Sequence, residues 1–134
     1  MEEKTSSKKK AMGVLPALGT EHAQRISDIT SVPINRIRTD LSEFDTLLGG
    51  GLVPGSVVLL GGEPGVGKST LLLQAAEQYS KLGLRVLYVT GEESSSQVAM
   101  RSHRLKVNTE SVWVLTETCL ERVLEEFAKI SPQL

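Results

Sequence analysis

The chain has 134 residues and a net charge of −1, and it is 40% hydrophobic and 23% charged. This composition is ordinary for a soluble globular protein, and the length allows one domain or part of one. The near-neutral charge excludes a uniformly basic nucleic-acid-binding protein, so any DNA contact needs a local patch. The single cysteine, Cys119, excludes an internal disulfide and a cysteine-built zinc site. Because the sequence contains neither a membrane-length apolar run nor a signal-peptide core, we expect a cytoplasmic protein without membrane contact.

The first part of the chain is rich in charge, serine and glycine. Residues 1–25 show no hydrophobic period, so we expect a flexible charged tail there. Its lysine cluster, Lys8–Lys10, either contacts phosphates or is simply solvated, as short clusters in tails usually are. Residues 26–134 are predicted to form the folded part.

A short helix is predicted before the central glycine-rich segment. Asp40 is placed to cap it, with Glu43 three residues later, and Gly49–Gly51 ends it, since glycine is favoured at a helix C-terminus. The apolar, β-branched run Val57–Leu60 then predicts a strand that leads into the next loop.

That next loop matches a phosphate-binding pattern. Residues Gly62–Ser69 fit the P-loop pattern G-x-x-x-x-G-K-S/T, and a helical pattern over Lys68–Leu82 follows. The glycines allow positive φ and close approach, so backbone N–H groups can turn inward around a phosphate. The helix points its partially positive N-terminus at the same anion. The predicted ATP-binding residues are Gly62, Glu63, Pro64, Gly65, Val66, Gly67, Lys68, Ser69 and Thr70.

Individual side chains of this loop have predicted roles. Lys68 supplies a mobile positive charge for the β- and γ-phosphates, and the Ser69 hydroxyl is the expected Mg²⁺ ligand. Thr70 helps to hold the phosphates. Pro64 stiffens the loop and removes a donor that would otherwise compete.

The second half of the chain alternates strands and helices. A buried strand over Arg85–Thr90 follows the helix over Lys68–Leu82, which makes a βαβ unit and implies a parallel sheet flanked by helices. Three further elements are predicted: a helix capped by Ser94 and running to Leu105, a strand over Val112–Leu115 and a helix capped by Thr118. Because the chain stops after a helix, we expect a sheet truncated before its later strands, and hence the front half of a larger ATPase.

Two adjacent carboxylates, Glu92 and Glu93, follow the strand that ends at Thr90. Ligands of an open α/β sheet bind beyond the carboxyl ends of the strands, so we expect these side chains near Ser69. A carboxylate there can orient and polarise the water that attacks a γ-phosphate. Neighbouring side chains at a strand end diverge, so one of them can face the nucleotide. The alternative is that both simply complement the dipole of the helix that begins at Ser94.

Several segments together resemble the RecA superfamily, and most of all the bacterial RadA (Sms) family of DNA repair and recombination ATPases. The segments that carry the resemblance are Ser42–Gly51, Val53–Ser56, the P-loop extended to Gln74, Leu87–Ser94 and Gln97–Leu105. The Thr-Gly-Glu-Glu-Ser and Gln-Val-Ala-x-Arg motifs are the most discriminating parts, and the resemblance covers about residues 26–134. It implies a RecA-like P-loop NTPase core in which Glu92 activates water and Lys68 assists, with Glu93 as second choice for the carboxylate.

The resemblance also implies an activity and partners. It implies ATP hydrolysis stimulated by single-stranded or branched DNA, in a homo-hexameric ring that drives branch migration, with a recombinase as a further partner. The family begins with a four-cysteine zinc finger, whereas this chain has no cysteine before Cys119. The second acidic motif, the Lys-Asn-Arg segment and the Lon-protease-like domain of the family would lie beyond Leu134. We therefore expect this chain alone to bind nucleotide without turning it over.

The sequence leaves two points open. A nucleotide-binding regulatory module without DNA activity, or a KaiC-like ATPase and kinase, shares the Leu-Gly-Gly-Gly-Leu segment and the paired glutamates. Arg101 and Arg104 lie three residues apart on one predicted helix, so they share a face. That face either contacts DNA or another subunit, or is a solvated helix surface.

Overall fold

A computed structural model describes residues 22–108 and 110–134. They fall into two units, one ending at Pro33 and the other spanning Ile34–Leu134. In the first unit, Ile26–Asp28 forms one turn of 3-10 helix. Most of the predicted tail, residues 1–21, lies outside the described residues. Within the described ranges, no helix combines the length and apolarity that crossing a membrane requires.

The second unit is an α/β structure built on a parallel sheet. Its elements are α1 (Ser42–Leu47), α2 (Lys68–Lys81), β1 (Val86–Thr90), α3 (Ser95–Leu105), β2 (Val112–Thr116) and α4 (Leu120–Ile130). In the described residues β1 and β2 pair in parallel, with Val86 opposite Val112 and Thr90 opposite Thr116. Helix α2 packs against both strands, α3 against β2 and α4 against β1. The predicted α/β class with a parallel sheet and flanking helices is confirmed.

The core lies between α2 and the sheet. Its buried residues are Ala75, Ala76, Tyr79 and Val86, and the partly buried Ile37, Phe44, Leu52, Leu84 and Val112 pack around them. The small alanines let the α2 backbone approach the strands, and Tyr79 follows them one helical turn later on the same face. Leu73 of the same helix is also buried (1% exposed), whereas its neighbour Leu72 is 45% exposed.

Helix α1 begins in a different way from that predicted. The expected cap by Asp40 is wrong, because α1 follows Leu41 and no side chain caps its N-terminus. Instead the Thr39 hydroxyl accepts a hydrogen bond from the Leu41 N–H (3.1 Å). The buried Asp45 carboxylate accepts bonds from the Thr39 N–H (2.8 Å) and the Thr39 hydroxyl (2.9 Å). Asp45, one turn into the helix, holds Thr39 in place, and Thr39 rather than Asp40 therefore bonds the backbone just before α1.

The glycine run after α1 makes the predicted helix stop. Gly49, Gly50 and Gly51 all have positive φ, at 74°, 108° and 128°. The Arg36 guanidinium donates to the carbonyls of Leu48 (2.9 Å) and Gly51 (3.2 Å), so it holds both ends of the turn. The chain then passes back alongside residue 37 in an isolated antiparallel bridge.

The predicted strand over Val57–Leu60 is not formed. Its backbone pairs with no other described strand, and Val57 and Leu59 are 97% and 95% exposed. Val58–Leu60 and residues of β1 both line an apolar groove of about 530 Å³. The segment also cannot pair with the Leu87 N–H of β1, because that group already donates a hydrogen bond to the Leu134 carbonyl (2.9 Å).

The caps of α3 and α4 contrast with each other. The capping box predicted at Ser94 is confirmed: its hydroxyl accepts from the Gln97 N–H (3.2 Å), and the Gln97 side chain accepts from the Ser94 N–H (2.8 Å). The cap predicted at Thr118 is wrong, since α4 follows Cys119 without a side-chain cap. The Glu117 carboxylate instead accepts from the N–H groups of Cys119 (3.0 Å) and Thr118 (2.9 Å), and these bonds lower the pKa of Glu117.

Candidate nucleotide-binding site

The P-loop residues Gly62–Thr70 form an exposed loop that ends in the first turn of α2. Gly65 and Gly67 have φ values of 82° and 94°, with open space where a side chain would stand. At both positions glycine is favoured by the backbone conformation and not by a lack of space for a side chain. At Gly62 the constraint is space, because a methyl group there would lie 3.1 Å from the Val66 side chain, which packs close to the Gly62 backbone.

The start of α2 offers backbone donors to the loop. The first helical bond that reaches back joins the Leu71 N–H to the Gly67 carbonyl (2.9 Å). The N–H groups of Lys68, Ser69 and Thr70 therefore have no acceptor inside the helix. Together with the positive end of the helix dipole, such groups form an anion-binding site.

The Lys68 ammonium lies across this loop. It donates to the Gly62 carbonyl and to the Glu63 carbonyl (3.1 Å). These bonds tie the start of the loop to the first residue of α2. An anion held by the helix N-terminus would compete with both carbonyls for the same ammonium, and a charge-assisted bond to an anion is the stronger one.

Ser69 and Tyr88 bring the helix start and β1 together. Burial raises the pKa of the Tyr88 hydroxyl, and the Glu93 carboxylate raises it further. The Arg101 guanidinium and a side-chain hydrogen bond with Ser69 act in the opposite direction. The predicted Mg²⁺ ligand thus lies close enough to Tyr88 of β1, the strand whose end carries the two carboxylates, to affect its pKa.

The two predicted carboxylates have different surroundings. Glu92 is exposed, and none of the described residues forms an ion pair with it. Glu93 is partly buried and pairs with Arg101: Nη1 donates a hydrogen bond to Oε1 (2.8 Å), and Nη2 lies 2.6 Å from Oε2 as an ion pair. The bond to Glu93 also raises the pKa of Arg101. Glu92 is therefore the carboxylate left free for a ligand or a water.

Two residues of this region were missed as parts of the site. The sequence interpretation placed Arg101 on a helix face that either contacts DNA or another subunit or is solvated, and it gave no role to Tyr88. A signal for Arg101 existed, because Ser94, Gln97 and Arg101 recur at spacings of three and four on one helix face. That face begins at the strand end, so an arginine two turns along it can reach back to a carboxylate there.

The donor set fits a magnesium–nucleotide complex. The described residues contain no cluster of three or more histidine, cysteine, aspartate or glutamate side chains that would hold a metal by itself. Mg²⁺ bound with a nucleotide usually keeps several waters and phosphate oxygens and takes only one or two protein ligands. The loop amides and Lys68 suit the phosphates, and the Ser69 hydroxyl suits the metal.

Comparison with known proteins finds an ATPase family and several similar proteins. Residues 37–126 match the family model described as "ATPase: KaiC". The chain is 51% identical to "DNA repair protein RadA" of Campylobacter jejuni over 113 residues, which are 84% of this chain and 25% of that protein. The same-named proteins of Streptococcus pneumoniae and Escherichia coli are 46% and 48% identical over 81% and 83% of this chain, and 26% and 24% of theirs.

The comparisons thus confirm the resemblance to RadA proteins that the motifs predicted. The chain spans about a quarter of the length of these relatives. The family model covers both the P-loop and the paired glutamates, so it includes the whole candidate site. The chain belongs to the KaiC-type ATPase family, with its RecA-like P-loop fold.

Proposed function

We propose that this chain binds Mg·ATP at Gly62–Thr70 and is the ATP-binding part of a DNA-dependent ATPase of DNA repair and homologous recombination. One observation carries the proposal: the free N–H groups of the first turn of α2 and the Lys68 ammonium converge on one exposed glycine-rich loop. This is the chemistry that a polyphosphate requires. Membership of an ATPase family and the printed names of the relatives support it.

Each part of the loop has a role in this proposal. The backbone of Gly62–Gly67 surrounds the phosphates, and Lys68 leaves its carbonyl partners to contact the β- and γ-phosphates. Ser69 provides a hydroxyl ligand to Mg²⁺, and Thr70 supports the phosphates from the next position. These assignments agree with the exposure of the loop and with the donors that face it.

Hydrolysis is assigned to Glu92, with Lys68 assisting. Bound Mg·ATP supplies the electrophilic γ-phosphorus and the charge of the metal. Glu92 orients a water and accepts its proton as the water oxygen bonds to phosphorus and the bond to the bridging oxygen breaks. Lys68 stabilises the negative charge on the phosphate oxygens. The support for Glu92 over Glu93 is that Arg101 occupies both oxygens of Glu93.

The wider assignment concerns the whole protein. The relatives carry the name "DNA repair protein RadA", which supports a DNA partner, single-stranded or branched. A net charge of −1 means that the DNA contact needs a local basic patch. The homo-hexamer, the recombinase partner, the branch-migration activity, the cytoplasmic location and the division into a tail over 1–25 and a half-domain over 26–134 stay predictions.

A second candidate is a KaiC-like regulatory module that binds ATP and does not act on DNA. The observation that favours it is the family match itself, whose description names KaiC. Both candidates share the P-loop chemistry, so nucleotide binding cannot separate them. DNA stimulation of ATP hydrolysis separates them.

The test is ATP turnover by the full-length protein with and without single-stranded DNA, over a range of salt. We expect DNA to stimulate turnover, and the stimulation to fall steeply between about 50 and 200 mM salt, because binding releases counterions. Turnover that ignores DNA at every salt concentration refutes the DNA assignment and favours the regulatory module.

Matched variants test the carboxylate. Glu92→Gln is expected to leave the affinity for a fluorescent ATP analogue unchanged and to lower turnover by orders of magnitude. Glu93→Gln keeps one hydrogen-bonding oxygen for Arg101, so we expect a much smaller loss. The reverse order of the two losses means that Glu93 is the catalytic carboxylate.

A further inference from the structure

The turn between β1 and α3 is held by contacts from three directions. The Thr90 hydroxyl accepts hydrogen bonds from the N–H groups of Glu92 (3.3 Å) and Glu93 (3.2 Å). The Thr116 hydroxyl at the end of β2 donates to the Glu93 carbonyl (3.4 Å). The third contact is the ion pair between the Arg101 guanidinium and the Glu93 carboxylate. It connects the middle of α3 to the end of β1. The turn is therefore fixed on both sides of Glu92.

The Arg101–Glu93 pair has the geometry of a structural clamp. Nη1 donates a hydrogen bond to one carboxylate oxygen and Nη2 lies 2.6 Å from the other, and such two-point pairing fixes orientation as well as distance. The two side chains are only 22% and 19% exposed, so solvent screens the pair less than a surface ion pair.

The clamp also lies beside the nucleotide site. Glu93 and Arg101 both act on the pKa of the Tyr88 hydroxyl, and so does the Ser69 side chain at the start of α2. Displacement of the turn would move Glu92 relative to Ser69, since Glu92 and Glu93 share the same anchoring hydroxyl of Thr90.

We propose that Arg101 is a positioning residue, which clamps Glu93 to α3 and so keeps the neighbouring Glu92 free and correctly placed toward the P-loop. This rests on the proposed role of Glu92 in hydrolysis. It assigns Arg101 to catalytic geometry rather than to DNA contact or to a solvated helix face. Arg104, one turn further along α3 and exposed, is the matched residue that is outside the clamp.

The first test is steady-state kinetics of the full-length protein with Arg101→Ala, Arg101→Lys and, as the control, Arg104→Ala. We expect Arg101→Ala to lower kcat about ten- to a hundredfold with the affinity for a fluorescent ATP analogue unchanged, because a small misplacement of a catalytic group is costly. Arg101→Lys is expected to recover only part of the rate, since an ammonium cannot form the fork. The double exchange Arg101→Glu with Glu93→Arg is expected to restore more of the rate than either single change.

The second test needs no turnover. Hydrogen exchange of the Glu92 and Glu93 amides is expected to be faster in Arg101→Ala than in the parent, with exchange in α2 unchanged. If the parent protein hydrolyses no ATP, the proposed function fails, and this measurement alone still decides whether the clamp exists. Unchanged exchange, an unchanged kcat in Arg101→Ala, or an equal loss in Arg104→Ala overturns the inference. Loss of DNA affinity at a normal DNA-independent kcat would make Arg101 a DNA contact instead.

Discussion

Replacing Lys68 by alanine is expected to remove nucleotide binding and leave the fold intact. In the structure the ammonium donates to the carbonyls of Gly62 and Glu63. On binding it exchanges these for two phosphate contacts, each worth about 1.5–3 kcal/mol as a bond between charged groups. The sum is about 3–6 kcal/mol, and the surrendered carbonyl bonds offset part of it. We therefore expect Kd to rise about a hundredfold.

The assay for this variant is a titration with a fluorescent ATP analogue, paired with urea unfolding. The loop is exposed, so we expect the free energy of unfolding to change by no more than about 0.5 kcal/mol. Lys81→Ala is the control, because Lys81 lies in the same helix and pairs only with Glu77 (3.1 Å) among the described residues. An unchanged affinity in a folded Lys68→Ala protein would refute the assignment of the site.

Three further predictions concern stability and titration. Gly51→Ala places a methyl group 2.6 Å from the Ile37 carbonyl oxygen, at a residue whose φ is 128°. We expect it to lower the free energy of unfolding, measured in urea, by about 2–5 kcal/mol. Gly55→Ala, where the space is open, is expected to lower it by only about 1–2 kcal/mol. Ser94→Ala removes the capping box of α3 and is expected to lower the free energy of unfolding by about 1 kcal/mol. Burial raises the pKa of both tyrosines, Tyr79 and Tyr88, so the tyrosinate absorbance of the folded chain should titrate above the ordinary value of about 10. Because a raised tyrosine pKa means that the fold favours the neutral hydroxyl, this contribution to stability is complete below pH 10 or so and is lost as the pH rises through the folded value.

Each of these has an outcome that contradicts it. Equal losses for Gly51→Ala and Gly55→Ala would mean that the close approach at Gly51 is not a constraint. A Ser94→Ala protein as stable as the parent would show that the capping box contributes nothing. A tyrosinate midpoint near the ordinary value in a chain that is still folded would contradict the burial of the two hydroxyls.

The sequence predicted best where the signal is local. The P-loop pattern located the start of α2 at Lys68, and Gly67 takes the left-handed conformation at its N-terminus. The spacing of Ser94 and Gln97 predicted a capping box, and both of its bonds are present. These features depend on residues within one turn of each other, so no distant contact can override them.

Two failed predictions show where local signals compete. Asp40 has a side chain that suits a helix cap. Thr39, however, is anchored by Asp45, and its hydroxyl accepts the hydrogen bond from the Leu41 N–H just before the helix. Thr118 also has the right chemistry, but the longer Glu117 side chain accepts two N–H groups at once. In both cases two residues beside the helix start were suitable, and hydrogen bonds within the same short segment decided between them.

The segment Val57–Leu60 shows a different limit, and it bears on the site. Its β-branched pattern describes residues that suit a pleated surface, but a strand also needs a neighbour for its backbone groups, and no described strand pairs with it. The P-loop that follows is therefore anchored in the described structure from its helix side, through the two Lys68 bonds to Gly62 and Glu63. When a phosphate takes the ammonium from those carbonyls, the first half of the loop loses this anchor. The loop amides must then be ordered by the phosphate itself. In the proposed complex the order of the loop therefore depends on the bound phosphate, and phosphate binding depends on an ordered loop.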